Sequence, residues 1–406
     1  MTAHALLDDL RHNWRLYASM PLVAAGIGYV TKLIAVRMMF APRGFVGIRP
    51  WLGWQGIIPA KAPVMAGIIY DTLTSRLLSP QEVFRRLDPS RVVDELERPL
   101  LSAVEEITAE VASSYRPGLW ESLPAAIRRR VVERVQEEAP AQVNLMMREI
   151  QENIENVFDL RDMMVTNLTR DTELLNRIFR QAGRGEFRFI ERSGIYFGFA
   201  IGLLQAVAWA STHSVWIMPL FGGFIGWFSD WLALKMVFRP REPTRYLRLF
   251  TWQGLFLKRR KEVAAEYGAL LAEEVLTARN IFEAALRGPL SDRLFAVVQR
   301  HVQEMIDAQA GAAKPLVVLA VGSERYLQMK KDIAARFIER MPAALRHVEG
   351  YADEAMDIRN TLVSKLQELT AEEFEGVLRP VFEQDEWKLI AVGAVLACSW
   401  ASSRSS

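Results

Sequence analysis

A chain of 406 residues, half of them hydrophobic and 24% charged, is long enough for two or three ordinary domains. Its 50 Lys and Arg nearly balance its 48 Asp and Glu, and a net charge of +2 lacks the global basic field that nucleic-acid binding needs, which excludes DNA and RNA as expected partners. The single cysteine, Cys398, excludes an intrachain disulfide and a thiolate metal cluster.

A mean hydropathy of +0.06 is too low for a chain embedded throughout in a bilayer and high for a water-soluble one, so apolar and polar residues must be segregated into blocks. In chain order, the first stretch carries Asp8, Asp9, Arg11 and Arg15 and no cleavage-site pattern, so no removable signal peptide is expected. Crossing a hydrocarbon core takes roughly 20 apolar residues in a helix. The run 17–40 meets that length and predicts the first membrane helix. A polar block, 41–192, follows, in which Val143, Met146, Ile150, Ile154 and Val157 recur at helical spacing. Runs 194–210 and 215–238, joined by the short polar stretch Ser211 to Ser214, read as a hairpin of two membrane helices. The second polar block, 239–386, repeats the helical period in Leu294, Val298, Val302, Met305 and Ile306. The last run, 387–401, is short and spans only with bilayer thinning or flanking anchorage.

Prolines at 80, 89, 99, 117, 124, 140, 289, 315, 342 and 380 are expected to divide the blocks into helices of ordinary length. No strand pairs with turn signals are legible. The predicted class is therefore all-α: an integral membrane protein with about four membrane helices and two soluble amphipathic blocks. With a hairpin in the middle, both blocks lie on one side and both termini on the other. Arg43, Arg49, Arg177, Arg180, Arg184, Arg188, Arg192, Arg239, Arg241, Arg245 and Arg248 flank the helices on the block side, against Arg11, Arg15 and Arg404 beyond them, so the positive-inside rule puts the blocks in the cytoplasm.

The strongest signal is self-similarity at a shift of 198 residues, which places Gly28 on Gly226. Met20-Pro21-Leu22 then falls on Met218-Pro219-Leu220, Ala35 on Ala233, Met38 on Met236, Phe40 on Phe238 and Pro42-Arg43 on Pro240-Arg241. Without a gap the same register carries Trp54-Gln55-Gly56 onto Trp252-Gln253-Gly254 and Asp159-Leu160-Arg161 onto Asp357-Ile358-Arg359. The reading is a tandem parallel repeat of membrane helix, soluble helices and membrane helix. Such repeats commonly pack about a pseudo-two-fold axis along the membrane normal.

The segments Gly28-Tyr29-Val30-Thr31-Lys32-Leu33-Ile34-Ala35-Val36-Arg37-Met38-Met39-Phe40 and Gly226-Trp227-Phe228-Ser229-Asp230-Trp231-Leu232-Ala233-Leu234-Lys235-Met236-Val237-Phe238-Arg239-Pro240, with the Gln-Gly motifs after them, resemble the duplicated signature of the bacterial membrane proteins called the domain of unknown function 445 family. The resemblance runs from Pro21 to the last helix and implies a bacterial cell-envelope membrane protein, with no activity attached; the expected location is the inner membrane, crossed several times. Where the family has Thr-Asn in each helix, this chain has Thr31-Lys32 and Ser229-Asp230.

Lys32 and Asp230 are the first candidate pair. A lone charge in the middle of a membrane helix costs about 2.5 to 3.5 kcal/mol and normally faces a partner; the repeat shift maps one onto the other, so an ion pair is expected. A second candidate group joins Trp54, Gln55, Gly56 and Lys61 with Trp252, Gln253, Gly254, Lys258 and Arg259, an interfacial mixture that suits anchoring or a lipid headgroup. Arg37 and Lys235 read as snorkelling cations. The pairs Asp159 with Arg161 and Asp357 with Arg359 read as helix caps or solvated surface. The histidines at 4, 12, 213, 301 and 347 lack ligand-like spacing, and no phosphate loop, nucleophile elbow or zinc motif is present. No catalytic residue, metal or cofactor is expected. The expected function is that of a non-enzymatic cell-envelope protein whose helical blocks bind envelope proteins or further copies of the chain, or organise the membrane. The alternatives are lipid binding or transfer by those blocks, and an oligomeric transporter or channel.

Overall fold

The computed structural model describes residues 12–48, 52–115, 124–212, 214, 217–246, 250–310 and 322–376. The expected last span, 387–401, and Cys398 lie outside the described residues. Two compact units account for the described chain. Unit 1 is drawn from 12–69, 168–270 and 363–376, and unit 2 from Tyr70–Asn167 and Leu271–Leu362.

Unit 1 begins with α1 (Trp14–Phe40), followed by a short hairpin of β1 (Val46–Ile48) and β2 (Leu52–Trp54), α2 (Ile57–Ala60) and the start of α3 (Ala62–Thr72). It resumes after Asn167, at the end of α8 (Leu160–Arg170), with α9 (Thr172–Ala182), α10 (Arg184–Thr212) and α11 (Ile217–Phe238). A second hairpin, β3 (Thr244–Tyr246) and β4 (Phe250–Trp252), leads to α12 (Leu255–Lys258) and α13 (Arg260–Glu274). Unit 2 holds α4 (Pro80–Phe84), α5 (Pro89–Tyr115), α6 (Ala125–Glu152) and α7 (Ile154–Val157), then α14 (Ala278–Arg287), α15 (Ser291–Ala310), α16 (Ser323–Met356) and the start of α17 (Ile358–Glu368).

The described residues are all-α apart from two hairpins, which pair Val46 with Trp54 and Thr244 with Trp252. These correct the expectation of no strand pairs. Strands of three residues are too short to show an alternating pattern, so nothing in the residue order announces them. The prolines need a second correction. Pro80 and Pro89 open helices, where a missing N–H costs nothing. Pro99, Pro140 and Pro342, however, lie inside α5, α6 and α16. Each forfeits a backbone bond, yet the amphipathic stripe continues on both sides of the ring, and tertiary packing of that stripe rather than local propensity supplies most helical stability.

In unit 1, α1 and α10 lie against each other along their length, and α10 also packs on α11. Ala24, Ile201 and Ile225 form the small buried centre of these three helices, with Phe221 and Phe228 against it. The C-terminus of α1 is closed by Asn176, whose buried side chain donates to the Phe40 carbonyl at 3.0 Å, satisfying one of the acceptors a helix end leaves open. Phe187 meets the Phe40 ring edge-on at 5.2 Å.

Unit 2 is a bundle of amphipathic helices whose ends are capped by side chains from distant sequence. Arg86 donates to the Met356 carbonyl at 2.9 Å, at the end of α16, and Asp353 accepts from the Ala278 N–H at 2.7 Å, at the start of α14. Gln151 donates to the carbonyls of Phe84 and Leu87 at 2.9 and 2.7 Å. On α6, Glu149 accepts from His301 at 2.8 Å and is paired with Arg300. The hydrogen bond with His301, with Arg300 adding to it, holds the Glu149 carboxyl below its ordinary value. Lys330 meets Asp307 at 2.7 Å, and the Tyr326 hydroxyl, which donates to the same carboxylate at 3.0 Å, is pushed up to about 12, chiefly by burial.

Candidate functional site

Among the described residues, two helices, Tyr17–Phe40 and Arg184–Thr212, are long and apolar enough to cross a bilayer. The helices α1, α10 and α11 keep their small apolar centre but also turn large apolar side chains outward. Leu22 on α1, Tyr196, Leu204 and Val207 on α10, and Leu220 and Trp227 on α11 face outward. Within their apolar runs, the charged side chains Lys32 and Asp230 lie inside, with Lys32 at 0% and Asp230 at 5% exposure.

Backbone contact sets the geometry of that interior. A Cβ on Gly28 would lie 2.5 Å from the Gly194 carbonyl oxygen, so α1 and α10 touch main chain to main chain here. Gly194, Gly198 and Gly202 recur every fourth residue along α10 and all face α1, the small-residue spacing that lets membrane helices approach closely. With the two backbones this near, the Lys32 ammonium, on α1, reaches both α10 and α11. There Nζ donates to Ser193 Oγ at 2.7 Å and to the Ser229 carbonyl at 2.9 Å, and it lies 5.3 Å from the centre of the Phe197 ring. Asp230 Oδ1 is 4.0 Å from Nζ, beyond hydrogen-bonding distance, and Asp230 Oδ2 is buried with no hydrogen-bond partner among the described residues. The pair is an attraction of opposite charges in a medium of low dielectric, and the strong hydrogen bonds of the ammonium go elsewhere. Sequence reasoning missed Ser193 and the Ser229 carbonyl. The glycine spacing on α10 is visible in the residue order and would have shown which face of α10 meets α1.

The interfacial residues have local roles. Gln55 donates to the Arg43 carbonyl at 2.8 Å and Gly56 N–H to the Pro42 carbonyl at 2.8 Å. Gln253 and Gly254 make the corresponding bonds to Arg241 and Pro240, at 3.1 and 3.0 Å. Both Gln-Gly elements thus tie the hairpin back to the end of the preceding helix. Trp54 Nε1 donates to the Met38 carbonyl at 3.2 Å, whereas Trp252 Nε1 is buried without a partner among the described residues. Arg259 pairs with Glu262 at 2.9 Å and with the buried Glu186 at 3.4 Å. Lys258 is exposed and Lys61 half-buried. Arg239 and Arg241, just past α11, converge on the buried Glu375 at 3.4 and 2.6 Å. Arg37 is exposed, and Lys235 lies 4.7 Å from the centre of the Trp231 ring. Asp159 accepts from the Asp162 N–H at 2.9 Å and Asp357 from the Asn360 amide at 2.8 Å, while Arg161 lies over the Tyr70 ring and Arg359 pairs with Glu273 at 2.8 Å.

Unit 2 contains a cavity of about 430 Å³. Its wall is almost wholly apolar, made by Val143, Met146, Ile150, Leu294, Val298 and Phe337 among others. Arg340, Glu106 and His347 are the charged or polar side chains that reach it.

No family model and no solved structure matches the chain. Among curated proteins it is similar to a UPF0754 membrane protein of Nostoc punctiforme, 33% identical over 156 residues that make up 35% of this chain and 37% of the relative. A second, from Nostoc sp., is 31% identical over 153 residues, 34% and 36% of the two chains, and one from Anoxybacillus flavithermus is 38% identical over 93 residues, 22% and 24%. The chain thus spans little more than a third of the length of the curated relatives it matches. Those relatives carry the name of a membrane protein, and two apolar helices of spanning length agree with membrane association of this chain.

Proposed function

We propose that the chain is a non-enzymatic, multi-pass protein of the bacterial inner membrane, a tandem duplication with four crossings, whose helical blocks face the cytoplasm and act in partner binding or membrane organisation. One observation carries the membrane part: α1, α10 and α11 turn Leu22, Leu204, Val207 and Leu220 outward and keep Lys32 and Asp230 inside, an arrangement that is costly in water and natural in lipid. The duplication is supported by element bounds offset by 198 residues: Val46–Ile48 and Thr244–Tyr246, Ile57–Ala60 and Leu255–Lys258, Leu160–Arg170 and Ile358–Glu368. The arginine asymmetry supports the cytoplasmic side. Single cysteines placed at Glu95 and Gln299 in a Cys398→Ser background test the topology. Both should react with a membrane-impermeant maleimide only after the inner membrane is opened; reaction of one and protection of the other in intact spheroplasts overturns the parallel arrangement.

A second reading, lipid binding by the helical blocks, is favoured by the apolar cavity of unit 2. Its volume falls in the ~300–1,000 Å³ range of pockets that hold small ligands.

A further inference from the structure

We infer that the unit 2 cavity binds one long-chain free fatty acid, with its carboxylate at Arg340, an inference that rests on the lipid-binding reading. A dry, apolar cavity gains nothing from water and takes apolar guests instead. A volume of about 430 Å³ lies toward the lower end of the ~300–1,000 Å³ range of small-ligand pockets, which favours a guest with one chain. Met146, Met147 and Met341 line it, and the unbranched thioether side chain adapts to a flexible guest.

The polar end is equally specific. Arg340 reaches the cavity and is paired with Glu106, which also lines the cavity, and with Glu110. A guanidinium carries five N–H donors in a fork that matches a carboxylate, and these two partners use two of them. His347 at the rim is exposed, and Glu106 is exposed as well, so the carboxyl end of the guest sits at the mouth, in contact with water, and the chain runs inward toward Val298 and Ile150. Because the protein carries helices of spanning length, it works beside a reservoir from which single-chain lipids partition.

The test uses the full chain in membranes of its expression host. Palmitic acid bearing a mid-chain diazirine and a terminal alkyne is added, the membranes are irradiated, and the adducts are mapped by peptide mass spectrometry. Adducts are expected on the peptides holding Met146–Met147 and Phe337–Met341, together with adducts on α1 and α10 from the bilayer. Ala344→Phe, which fills the cavity, should abolish the unit 2 adducts and leave those on α1 and α10 unchanged. Ala285→Phe repeats the test from another helix if the first variant does not accumulate. Arg340→Gln should reduce palmitate adducts about tenfold at low probe concentration, as loss of one charged hydrogen bond would. A phosphatidylethanolamine carrying the same diazirine forms the second arm. Labelling of unit 2 by this phospholipid as strong as by palmitate overturns the fatty-acid assignment and leaves the lipid-binding reading standing. Unit 2 adducts from neither probe overturn both, and palmitate adducts that survive both filling variants place the site elsewhere and overturn the inference.

Discussion

Replacing Lys32 by Ala removes the two short hydrogen bonds of its ammonium, 2.7 Å to Ser193 and 2.9 Å to the Ser229 carbonyl, and strips Asp230 of the countercharge at 4.0 Å. Hydrogen bonds to a charged group contribute about 1.5–3 kcal/mol each, offset by the ammonium no longer having to be desolvated, and breaking one side of a buried pair typically costs ~3–5 kcal/mol. We expect Lys32→Ala to lose about 3 kcal/mol. Asp230→Ala should lose less, about 1–2 kcal/mol, because Lys32 retains both of its hydrogen bonds and Asp230 Oδ2 has no partner to lose. The charge swap, Lys32→Asp with Asp230→Lys, should recover part of the loss but not all, since Ser193 and the Ser229 carbonyl are placed around position 32. Equilibrium unfolding of the purified full chain in mixed micelles, followed by tryptophan fluorescence, measures the unaltered protein, the two single variants, the swap and the double Ala variant. The reasoning is refuted if the double Ala variant loses the sum of the single losses, which would mean that the two charges do not interact, or if the swap is no better than either single change.

Gly194→Ala places a methyl group against the Gly28 carbonyl oxygen and should cost about 1–3 kcal/mol or more as overpacking, whereas Gly223→Ala, with nothing within 4 Å, should be neutral or slightly stabilising; thermal unfolding of the pair separates close packing from helix propensity. Because the Glu149 carboxyl is held below its ordinary value, its contribution is present above the unfolded value of 4.5 and fades as pH falls through the lower folded value. Glu149→Gln should therefore flatten the acid limb of a Tm-against-pH curve, and an unchanged acid limb counts against the assignment. Arg86→Ala leaves the Met356 carbonyl without its donor and should cost about 1–3 kcal/mol, visible as faster amide exchange at the junction of α16 and α17; unaltered exchange there would show that the guanidinium contributes nothing.

The helical class is legible from periodicity alone: Val143, Met146, Ile150, Ile154 and Val157 predict an amphipathic face, and they lie along α6 and α7. That these faces leave a cavity rather than closing on Leu294 and Val298 is not legible, because it depends on the summed volumes of side chains from several helices. Lys32 and Asp230 stand out as charges within apolar runs. Ser193 does not, since a serine at the start of an apolar helix has many ordinary uses, and the Ser229 carbonyl is main chain and leaves no mark in sequence. The interior prolines mislead for the opposite reason, a strong local signal overridden by packing on both sides of Pro140 and Pro342.

Unit 2 is stitched from Tyr70–Asn167 and Leu271–Leu362, with about a hundred residues of other structure synthesised between them. Its first segment therefore leaves the ribosome long before the partner that covers Val143 and Ile150, and waits with its greasy side uncovered until α14, α15 and α16 arrive. During that interval the nascent chain needs either a chaperone or the adjacent lipid surface to shield it. Separate expression of either half should yield aggregates, while co-expression of the two should restore a soluble helical bundle only if the late segments can still find their place.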